Sequence, residues 1–586
     1  MLVTVDNFTD VIGRLQSARE IVVDLETTGL NPWGSDRLCG IAVLVGDESY
    51  YFPFRHACIS HTPLFQGILD DNINLPLDLL RVLGAELNRP DKVYVGYNYK
   101  FDLSFLAAEG ITPPKMIEDV MIAAHLVNEN EPNYRLKSLS DFYLDDDSSA
   151  EEKQLAAVLR SRKLTGKGDM WKLAPEEVAP YAEKDVILTR ALRDFYLSAL
   201  EEQELLDLWR EYNNFSLAIL DMEKQGIRID PDRLNDYIEE AEIAEQQQIS
   251  VIQEMAGKPI NPASSQQMQD WLQVESTASG ILEKLGKDRE DITALLQFRA
   301  WSKVRGTYYD RFAQSMDHRQ VIHPNLRITG TVSGRLSCNN PNMQAIPRYN
   351  NVYKVKDVFV SSPGRTFVEA DYSQAEIRVA THFARECNMA EILLKGVDMH
   401  SATAENIGIP RDIAKRLNFS VIYGVGARSL SENLDIPLKE ARRYLGAYHR
   451  QYPGFKRLYN QAESVAEERG FIKMFTGRRR HYNDDARAPV HKASSNLVQG
   501  SVAEMVRTAI TRLHALKDKG VHMLLTVHDS ILFEVDDNVL DWAIDRIRFV
   551  MEDQPWCSVK LPVDIKIGKR WGDLEELPRK EKNHEG

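Results

Sequence analysis

The stretch Thr366 to Arg378, TFVEADYSQAEIR, decides how the rest of the chain is interpreted. Phe367 to Tyr372 is typical of a short strand, and Ser373 followed three residues later by Glu376 predicts a helix that opens with a capping box. Asp371 is therefore predicted at the end of a strand, directly before a helix. A carboxylate in that position can hold a cation against a phosphate, although a single aspartate there is more often a turn residue.

A second stretch, Val521 to Val535 (VHMLLTVHDSILFEV), favours a functional role for Asp371. It predicts two apolar strands joined by a tight turn at His528-Asp529-Ser530, so that Asp529 lies at a hairpin tip. Two carboxylates brought together by one sheet suit phosphoryl transfer with two metal ions about 3.5–4 Å apart.

Between these stretches lies Arg411 to Gly424, RDIAKRLNFSVIYG. Arg411, Lys415 and Phe419 are spaced four residues apart and share one slowly drifting helical face. Two fixed cations and an aromatic ring on one face suit a triphosphate and its base. The alternative is an ordinary amphipathic helix with solvated basic residues.

In this order, the three stretches resemble motifs A, B and C of family A DNA polymerases, and the resemblance extends over nearly the whole chain. It implies a right-hand polymerase domain of thumb, palm and fingers that adds dNTPs to a primer 3′-OH with two Mg²⁺ ions, or Mn²⁺ in their place. The implied catalytic residues are Asp371, Asp529 and Lys415, and the implied metal ligands are Asp371, Tyr372 and Asp529. The implied nucleotide-binding residues are Tyr372, Gln374, Glu376, His400, Arg411, Lys415, Phe419 and Tyr423, and the implied DNA-binding residues are Arg335, Gln499 and His528.

Two of these roles have a plain physical basis. Glu376 stands at the family's steric gate, which blocks the 2′-OH of a ribonucleotide, in addition to its place in the capping box. Arg335, in TGTVSGRLSCNNPNMQAIPR, is expected at the minor groove of the primer end, where acceptors are nearly the same for every correct pair. The alternatives are a phosphate clamp for Arg335 and a solvated helix residue for Gln499.

Three positions depart from the family's pattern. Ser530 replaces the usual Glu after the motif C aspartate, Ser420 replaces a Gly, and Ser495 replaces an Asn. The first departure puts a third acidic group at the polymerase site in doubt and leaves the two aspartates intact.

The first 200 residues carry a separate set of acids. Asp24 and Glu26, in IVVDLETTGL, share one face of a predicted strand. Asp102 lies on a helix after a second strand, and Tyr181 and Asp185 lie one turn apart in PYAEKDVILT. Each acid alone is more often a helix cap or a surface residue.

Together these five residues resemble the motifs of DEDDy 3′→5′ exonucleases, which implies an RNase H-like domain that hydrolyses a terminal phosphodiester. Asp24, Glu26, Asp102 and Asp185 would hold two Mg²⁺ ions, and Tyr181 would orient the attacking water. Asn98 stands where the family has an asparagine that contacts the DNA. The expected fold class is therefore α/β and multidomain, with the exonuclease domain before the polymerase domain.

Composition limits the class of protein less strongly than the motifs do. Hydrophobic residues make up 43% of the 586 residues, without a run of 18 apolar residues, and the five cysteines show no zinc-like spacing, which indicates a reducing, cytoplasmic setting. The net charge of −15 argues weakly against nucleic acid, but a basic cleft can lie in an acidic body. Local basic stretches occur at 299–311, 411–416 and 477–481.

The expected domains are 1–200 for the exonuclease and 201–586 for the polymerase. Within the latter we expect the thumb at about 202–320, palm at about 321–394 and 491–577, fingers at about 395–490, and a polar tail at 578–586. A polar stretch, Leu144 to Gly168, contains a predicted helix over Ala150 to Arg162 and receives no function. The short segment from Leu272 to Leu295 predicts no thioredoxin-type processivity clamp. We expect a monomer, and no 5′-nuclease domain, because the exonuclease motif begins by residue 24.

The sequence thus predicts DNA-templated DNA synthesis with 3′→5′ proofreading, acting on primer–template DNA and dNTPs in phage or bacterial replication or repair. One alternative is a single-subunit RNA polymerase, against which the exonuclease motifs and Glu376 argue. Another is a non-catalytic DNA-binding protein on a polymerase scaffold, which would require lost carboxylates, and all six are present.

Overall fold

The sheet of the first domain is built on β1, whose alternate residues face two separate cores. The computed structural model describes residues 1–579 except 58–72, 145–148, 287–288, 348–349, 351 and 483–488. The elements up to residue 202 are α1 Phe8–Ser17, β1 Glu20–Thr27, β2 Leu38–Val45, β3 Glu48–Pro53, α2 Leu77–Glu86, β4 Val93–Gly96, α3 Tyr99–Ala108, β5 Ile117–Asp119, α4 Val120–Val127, α5 Leu136–Tyr143, α6 Ala150–Ser161 and α7 Pro175–Glu202. The strands lie in the order β3-β2-β1-β4-β5, with β1, β4 and β5 parallel and β2 and β3 antiparallel to their neighbours.

The two faces of β1 explain where the acids point. Ile21, Val23 and Leu25 pack with α1, α2 and α3, whereas Val22 packs with α4 and α7 on the opposite face. Because side chains alternate along a strand, Asp24 and Glu26 point to the side of α7. That helix carries Tyr181 and Asp185 and begins with a proline in its first turn, where the missing N–H is not needed.

The thumb is a set of long helices joined to the palm by short strands. Its elements are α8 Leu206–Gln225, β6 Ile227–Arg228, α9 Pro231–Ala256, α10 Ser265–Leu272, α11 Ser279–Leu285, α12 Glu290–Val304 and α13 Asp310–Ser315. The short strands that follow, in the first part of the expected palm, are β7 Val321–Ile322, β8 Asn325–Arg327 and β9 Ser337–Asn339. A π-helical turn, Arg305–Tyr309, connects α12 to α13. Ser264 caps α10 through its hydroxyl, which accepts from the main-chain amide of Gln267 at 3.4 Å.

The palm is a five-stranded antiparallel sheet in the order β13-β14-β10-β15-β16. Its elements are β10 Arg365–Tyr372, α14 Ala375–Ala384, α21 Ala493–His514, β13 Val521–Val527, β14 Ser530–Asp536, α22 Leu540–Glu552, β15 Val563–Gly568 and β16 Glu575–Leu577. β10 is central, and Asp371 lies directly opposite Ser530 on β14 and Asp564 on β15. The strand and hairpin predicted from the motifs are confirmed, with Ser530 as the first residue of β14.

The fingers are helical and end in a small hairpin. The helix α15 Cys387–Leu394 ends the first part of the expected palm. The fingers then contain α16 Met399–Ile407, α17 Arg411–Ile422, α18 Ala427–Leu434, α19 Leu438–Gln451, α20 Pro453–Arg469, β11 Phe471–Lys473 and β12 Arg479–His481. The helix predicted over the motif B stretch is α17, and the helix predicted in the polar stretch is α6. Residues 145–148 of that stretch and residues 580–586 of the tail lie outside the described residues.

The predicted capping box at Ser373 and Glu376 is wrong. The helix begins two residues later at Ala375, and Gln374 at its N-terminal boundary has a left-handed conformation with φ of 57°. Glu376 does not reach back to the main chain, because its carboxylate pairs with Arg335 and accepts from Tyr423. The contacts with Arg335 and Tyr423 therefore replace the contact with the main chain that the capping box predicts.

The basic stretch at 477–481 is not part of an open cleft. Arg478 is 1% exposed and Arg480 is 5% exposed, and both lie in a charged junction between the fingers hairpin and the first domain. Arg480 donates to Glu129 at 2.8 Å, and His481 contacts the same carboxylate at 2.9 Å. Arg478 donates to Tyr212 at 2.8 Å. These cations therefore join domains and are not available to a phosphate backbone.

Within the described part of the chain, no helix is both long enough and apolar enough to cross a membrane.

Candidate active sites

The first candidate site lies where β10 ends and the β13–β14 turn begins. Asp371 is the penultimate residue of β10, and Asp529 lies in the two-residue turn. The main-chain amide of Tyr372 donates to the carbonyl of Asp529 at 3.3 Å, which ties the two segments together. His528 takes a left-handed conformation with φ of 58°, which turns the chain and leaves its ring exposed. The predicted pairing of the two aspartates on one sheet edge is thus present.

Burial and like charge shift the acids of this site toward their neutral forms. The pKa of Asp371 is raised to about 7, first by burial and then by the carboxylates of Asp529, Glu369 and Asp564. Burial also raises the pKa of Asp529. An oxygen of Asp371 is buried without a hydrogen-bond partner. A buried, unsatisfied carboxylate oxygen and an oxygen-only donor pair fit Mg²⁺, which is held by one or two carboxylates together with substrate phosphates.

A chain of polar contacts crosses the cleft beside the aspartates. Arg335 donates to one oxygen of Glu376 at 2.5 Å, and the hydroxyl of Tyr423 donates to the other. Gln499 of α21 is half-buried and contacts the Tyr423 hydroxyl. The structure therefore brings together three residues predicted to contact nucleotide or DNA with the predicted gate residue, Glu376.

The α17 face predicted from spacing is exposed as expected. Lys415 is open to solvent, and the Phe419 ring is 40% exposed, with its centroid 5.7 Å from that of His400. Arg411 donates to Asp398 at 2.8 Å and to Ser401 at 3.2 Å, so its guanidinium is held at the start of α16. That pairing keeps the pKa of Asp398 well below its usual range.

His400 and Tyr372 are less accessible than their predicted roles require. His400 is 7% exposed and contacts the amide of Asn418 at 3.1 Å, and burial lowers its pKa. The Tyr372 hydroxyl donates to the carbonyl of Met551 at 2.8 Å inside the palm. A contact from Tyr372 to an ion or nucleotide would thus come from its main chain. Gln374 is exposed to solvent.

The second candidate site lies between β1, α3 and α7. Glu26, Asp102 and Asp185 are 5%, 3% and 7% exposed, and Asp24 is half-buried beside them. The amide of Leu25, between the two β1 acids, donates to Asp102 at 3.0 Å, which places the three carboxylates at one strand. Burial raises the pKa of every one of these four acids, and their mutual repulsion adds to the effect for Asp24, Glu26 and Asp102.

Two lysines, which the sequence analysis did not single out, approach this acidic group. The Lys137 ammonium of α5 pairs with Asp185 and lies 4.6 Å from the centroid of the Tyr181 ring. Lys167 donates to the Tyr181 hydroxyl at 3.0 Å and lies 4.8 Å from the same centroid. Their spacing from the motifs follows no rule, so sequence offered no signal for them beyond the basic end of the polar stretch.

Asn98 is exposed at the N-terminal boundary of α3, in a left-handed conformation with φ of 54°. Its main-chain N–H donates to the Asp119 carboxylate at 3.0 Å, and its side chain is open to solvent.

As the side chains stand, the described residues contain no group of three Asp, Glu, His or Cys that could hold a metal ion. At the second site, Asp185 is engaged by Lys137 and Asp102 by the Leu25 amide. The four carboxylates nevertheless provide the hard oxygen ligands that suit a divalent cation such as Mg²⁺.

The fold and the two sites define the class of the protein: a polymerase palm joined to a separate nuclease domain. A model of the 3′-5′ exonuclease family matches residues 1–201, and the model of DNA polymerase family A matches residues 231–573. The chain belongs to DNA polymerase family A.

Individual relatives agree with this assignment. The chain is 29% identical to DNA polymerase I of Chloroflexus aurantiacus over 97% of this chain and 63% of the relative, and 26% identical to DNA polymerase I of Pseudomonas aeruginosa over 96% and 64%. It thus spans about three fifths of the length of these curated relatives. The POL domain of Pol1 from M. smegmatis, solved in complex with DNA primer-template and dNTP, superimposes with a TM-score of 0.80 at 22% identity, covering 97% of this chain and 98% of that one. The expected fold class is confirmed.

Proposed function

We propose that this protein is a DNA-directed DNA polymerase that proofreads with a 3′→5′ exonuclease. The single observation that carries the proposal is the pairing of Asp371 and Asp529 at the edge of the palm sheet, in a domain whose α17 exposes Lys415 and Phe419. Family membership and the DNA polymerase I relatives support the same activity.

At the polymerase site, Asp371 and Asp529 would hold two divalent ions, which activate the primer 3′-OH and hold the departing pyrophosphate. Lys415 and Arg411 would bind the triphosphate, and Phe419 would pack on its sugar. Arg411 would have to leave Asp398 for this, and Arg335 would have to leave Glu376 to contact the primer end. Gln499, His528 and Asn98 remain predicted DNA contacts.

At the exonuclease site, Asp24, Glu26, Asp102 and Asp185 would hold the ions, and Tyr181 would orient the attacking water. Primer–template DNA and dNTPs are the proposed partners, in keeping with the DNA-bound M. smegmatis neighbour. The same proposal includes that the protein is a monomer that acts in the cytoplasm without a thioredoxin-type clamp. It also includes the domain boundaries predicted from the sequence.

The decisive experiment separates the two activities by mutation in the purified chain. Asp529→Ala should abolish primer extension with dNTPs and Mg²⁺ and leave 3′→5′ degradation of single-stranded DNA. Asp24→Ala should do the reverse, so each variant is the folding control for the other. Loss of both activities from a folded Asp24→Ala protein would contradict the two-site assignment.

The alternative of an RNA polymerase is tested with the same template. Glu376 is the predicted barrier to a 2′-OH, and the wild-type protein should therefore extend with dNTPs and not with rNTPs. Glu376→Ala should admit rNTPs. Preferential rNTP incorporation by the wild-type protein would instead favour the RNA polymerase.

A further inference from the structure

The C-terminal end of the polar stretch Leu144 to Gly168, to which the sequence assigned no role, delivers a lysine to the nuclease site. Lys167 begins a 3₁₀ turn, Lys167–Lys172, and its ammonium donates to the Tyr181 hydroxyl at 3.0 Å. The same ammonium pairs with Glu152 of α6 at 2.7 Å. Its side chain is 48% exposed, so it stands at the open side of the site and not in its core.

The position of Lys167 is fixed by the packing of its segment. Leu155 and Leu159 of α6, together with Met170 and Leu173, are buried in the core that contains α7. Next to Lys167, Asp169 accepts from both the amide and the hydroxyl of Thr165, at 2.8 and 2.6 Å. The lysine is therefore held by an anchored turn, although its own side chain is half-exposed.

The charge of Lys167 acts on most of the acidic group. Together with Lys137, it lowers the pKa of Asp24, Glu26 and Asp185, against the larger upward effect of burial. Lys137 pairs with a carboxylate, whereas Lys167 contacts the tyrosine hydroxyl itself. The two lysines thus have different partners within one site.

The hydrogen-bond capacity of Tyr181 turns this contact into a positional constraint. A phenol has one O–H donor and accepts through its lone pairs. Lys167 has no acceptor, so the Tyr181 oxygen must accept from it, and the phenol hydrogen is directed to Asp185. The remaining lone pair of the Tyr181 oxygen can accept an O–H of a water. That hydrogen bond would direct a lone pair of the water oxygen away from Tyr181.

We propose that Lys167 is a positioning residue of the exonuclease, which fixes the Tyr181 hydroxyl so that this hydroxyl orients the attacking water. The role rests on the proposed exonuclease function of this site. Lys167 acts through Tyr181, and its loss should lower turnover without weakening the binding of the DNA end.

The test is a mutant cycle on 3′→5′ degradation of single-stranded DNA, with primer extension by the same molecules as the control for folding. Lys167→Met should lower kcat by about 10- to 100-fold and change KM less than twofold. The expected loss lies at or below the lower end of the roughly 10²–10⁴-fold that a group transferring a proton itself contributes, because Lys167 acts only through Tyr181. Lys167→Arg, which keeps a cationic donor, should recover most of the rate. Lys163→Met, at an exposed lysine of the same segment, should match the wild-type protein.

The combination with Tyr181→Phe distinguishes positioning from a separate effect of charge. If Lys167 acts through the hydroxyl, Lys167→Met should cause less than a twofold further loss in the Tyr181→Phe background. Multiplicative losses, or a Lys167→Met protein with the wild-type kcat, would overturn the role of Lys167 while leaving the exonuclease assignment intact. Degradation that Asp24→Ala does not remove would overturn the exonuclease assignment, and this role with it.

Discussion

For single side chains, the clearest difference between prediction and structure is at Glu376, where long-range contacts replace the contact that the local sequence pattern predicts. The spacing of Ser373 and Glu376 satisfies the capping-box pattern, yet Glu376 pairs with Arg335, 41 residues earlier, and with Tyr423, 47 residues later. A carboxylate near a guanidinium gains more from that charged hydrogen bond than from a main-chain amide that water can also satisfy. No pattern in the sequence could have shown that Glu376 pairs with Arg335 and Tyr423 instead of the main chain at Ser373, because only the tertiary fold brings these residues together.

Phe419 provides a test of the α17 face. A dideoxynucleotide lacks the 3′-OH that can contact its own phosphates, and a Phe ring offers no replacement donor. A Tyr hydroxyl could supply one, and a hydrogen bond to a charged group contributes roughly 1.5–3 kcal/mol. Phe419→Tyr should therefore raise the ratio of ddNTP to dNTP incorporation at least about tenfold in single-nucleotide extension. An unchanged ratio would show that this ring does not face the sugar.

Asp371 should destabilise the metal-free protein at neutral and alkaline pH. Its pKa is raised from 3.8 to about 7, so the folded state binds a proton more tightly than the unfolded state. The resulting decrease in the free energy of unfolding is absent below pH 3.8, grows between pH 3.8 and 7 and is complete above pH 7. Asp371→Asn should remove it and add roughly 2–4 kcal/mol to the free energy of unfolding at pH 8, at about 1.4 kcal/mol per pKa unit.

The measurement is thermal unfolding with EDTA at pH 5 and pH 8, and the increase in Tm should be larger at pH 8. Asp537→Asn, directly after the end of β14, is the control, because Thr366 and Lys569 hold the pKa of Asp537 below its usual value. That substitution should not raise Tm at pH 8. An Asp371→Asn protein that is no more stable than the wild type would contradict the raised pKa.

Among the secondary-structure elements, those with strong apolar patterns were predicted well. The motif A strand, the motif C hairpin, α17 and the helix with Tyr181 and Asp185 all lie where the periodicity placed them, because burial enforces periodicity along a strand or helix. The order of the palm sheet was not predictable in the same way. β15, which places Asp564 opposite Asp371, lies nearly 200 residues beyond β10, and no local signal pairs them.

This strand arrangement predicts the effect of restoring a glutamate at Ser530, where the family usually has one. Asp371 is flanked by Ser530 on one side and by Asp564 on the other, with Glu369 two residues away on the same strand. Ser530→Glu would add a charge to a group that already contains acids, and the two metal-binding aspartates would be unchanged. We expect primer extension within about tenfold of wild type, which is under 1.4 kcal/mol in the barrier.

The added carboxylate should also shift the pH dependence. Like charges raise a carboxylate pKa, so the rise of the extension rate with pH should move to higher pH in Ser530→Glu. The measurement is the rate of single-nucleotide extension between pH 6 and pH 9 at saturating Mg²⁺. Complete loss of extension by the folded variant would show that this site does not accept the family's usual residue.

At the scale of the whole molecule, the charged junction ties the nuclease domain to the fingers. The Glu129 side chain is fully buried and accepts from Arg480 and His481. Burial alone would raise the pKa of Glu129, but the hydrogen bonds and charge of His481 outweigh it and hold this pKa down to about 2. Breaking such a buried pair typically costs about 3–5 kcal/mol, because the remaining charge is left without its partner. Glu129→Gln and Arg480→Met should each destabilise the protein by an amount of this order.

The pair should also be coupled. The double variant should lose clearly less than the sum of the single losses in urea unfolding, since neither charge is then stranded. Glu211→Gln serves as the control at a separate ion pair between α8 and α21: Glu211 pairs with Arg507 at 2.9 Å but is 57% exposed, and its loss should cost less than about 1 kcal/mol. Strictly additive losses for Glu129 and Arg480 would contradict direct coupling.

The same junction constrains how this protein can evolve. A replacement on one side alone leaves a stranded charge, so a lineage that changes Glu129 must pass through a less stable ancestor unless Arg480 changes with it. We therefore expect these two positions, 351 residues apart in the chain, to be inherited as a unit. A nuclease domain exchanged from a distant relative would then function poorly on this polymerase until the fingers hairpin was exchanged as well.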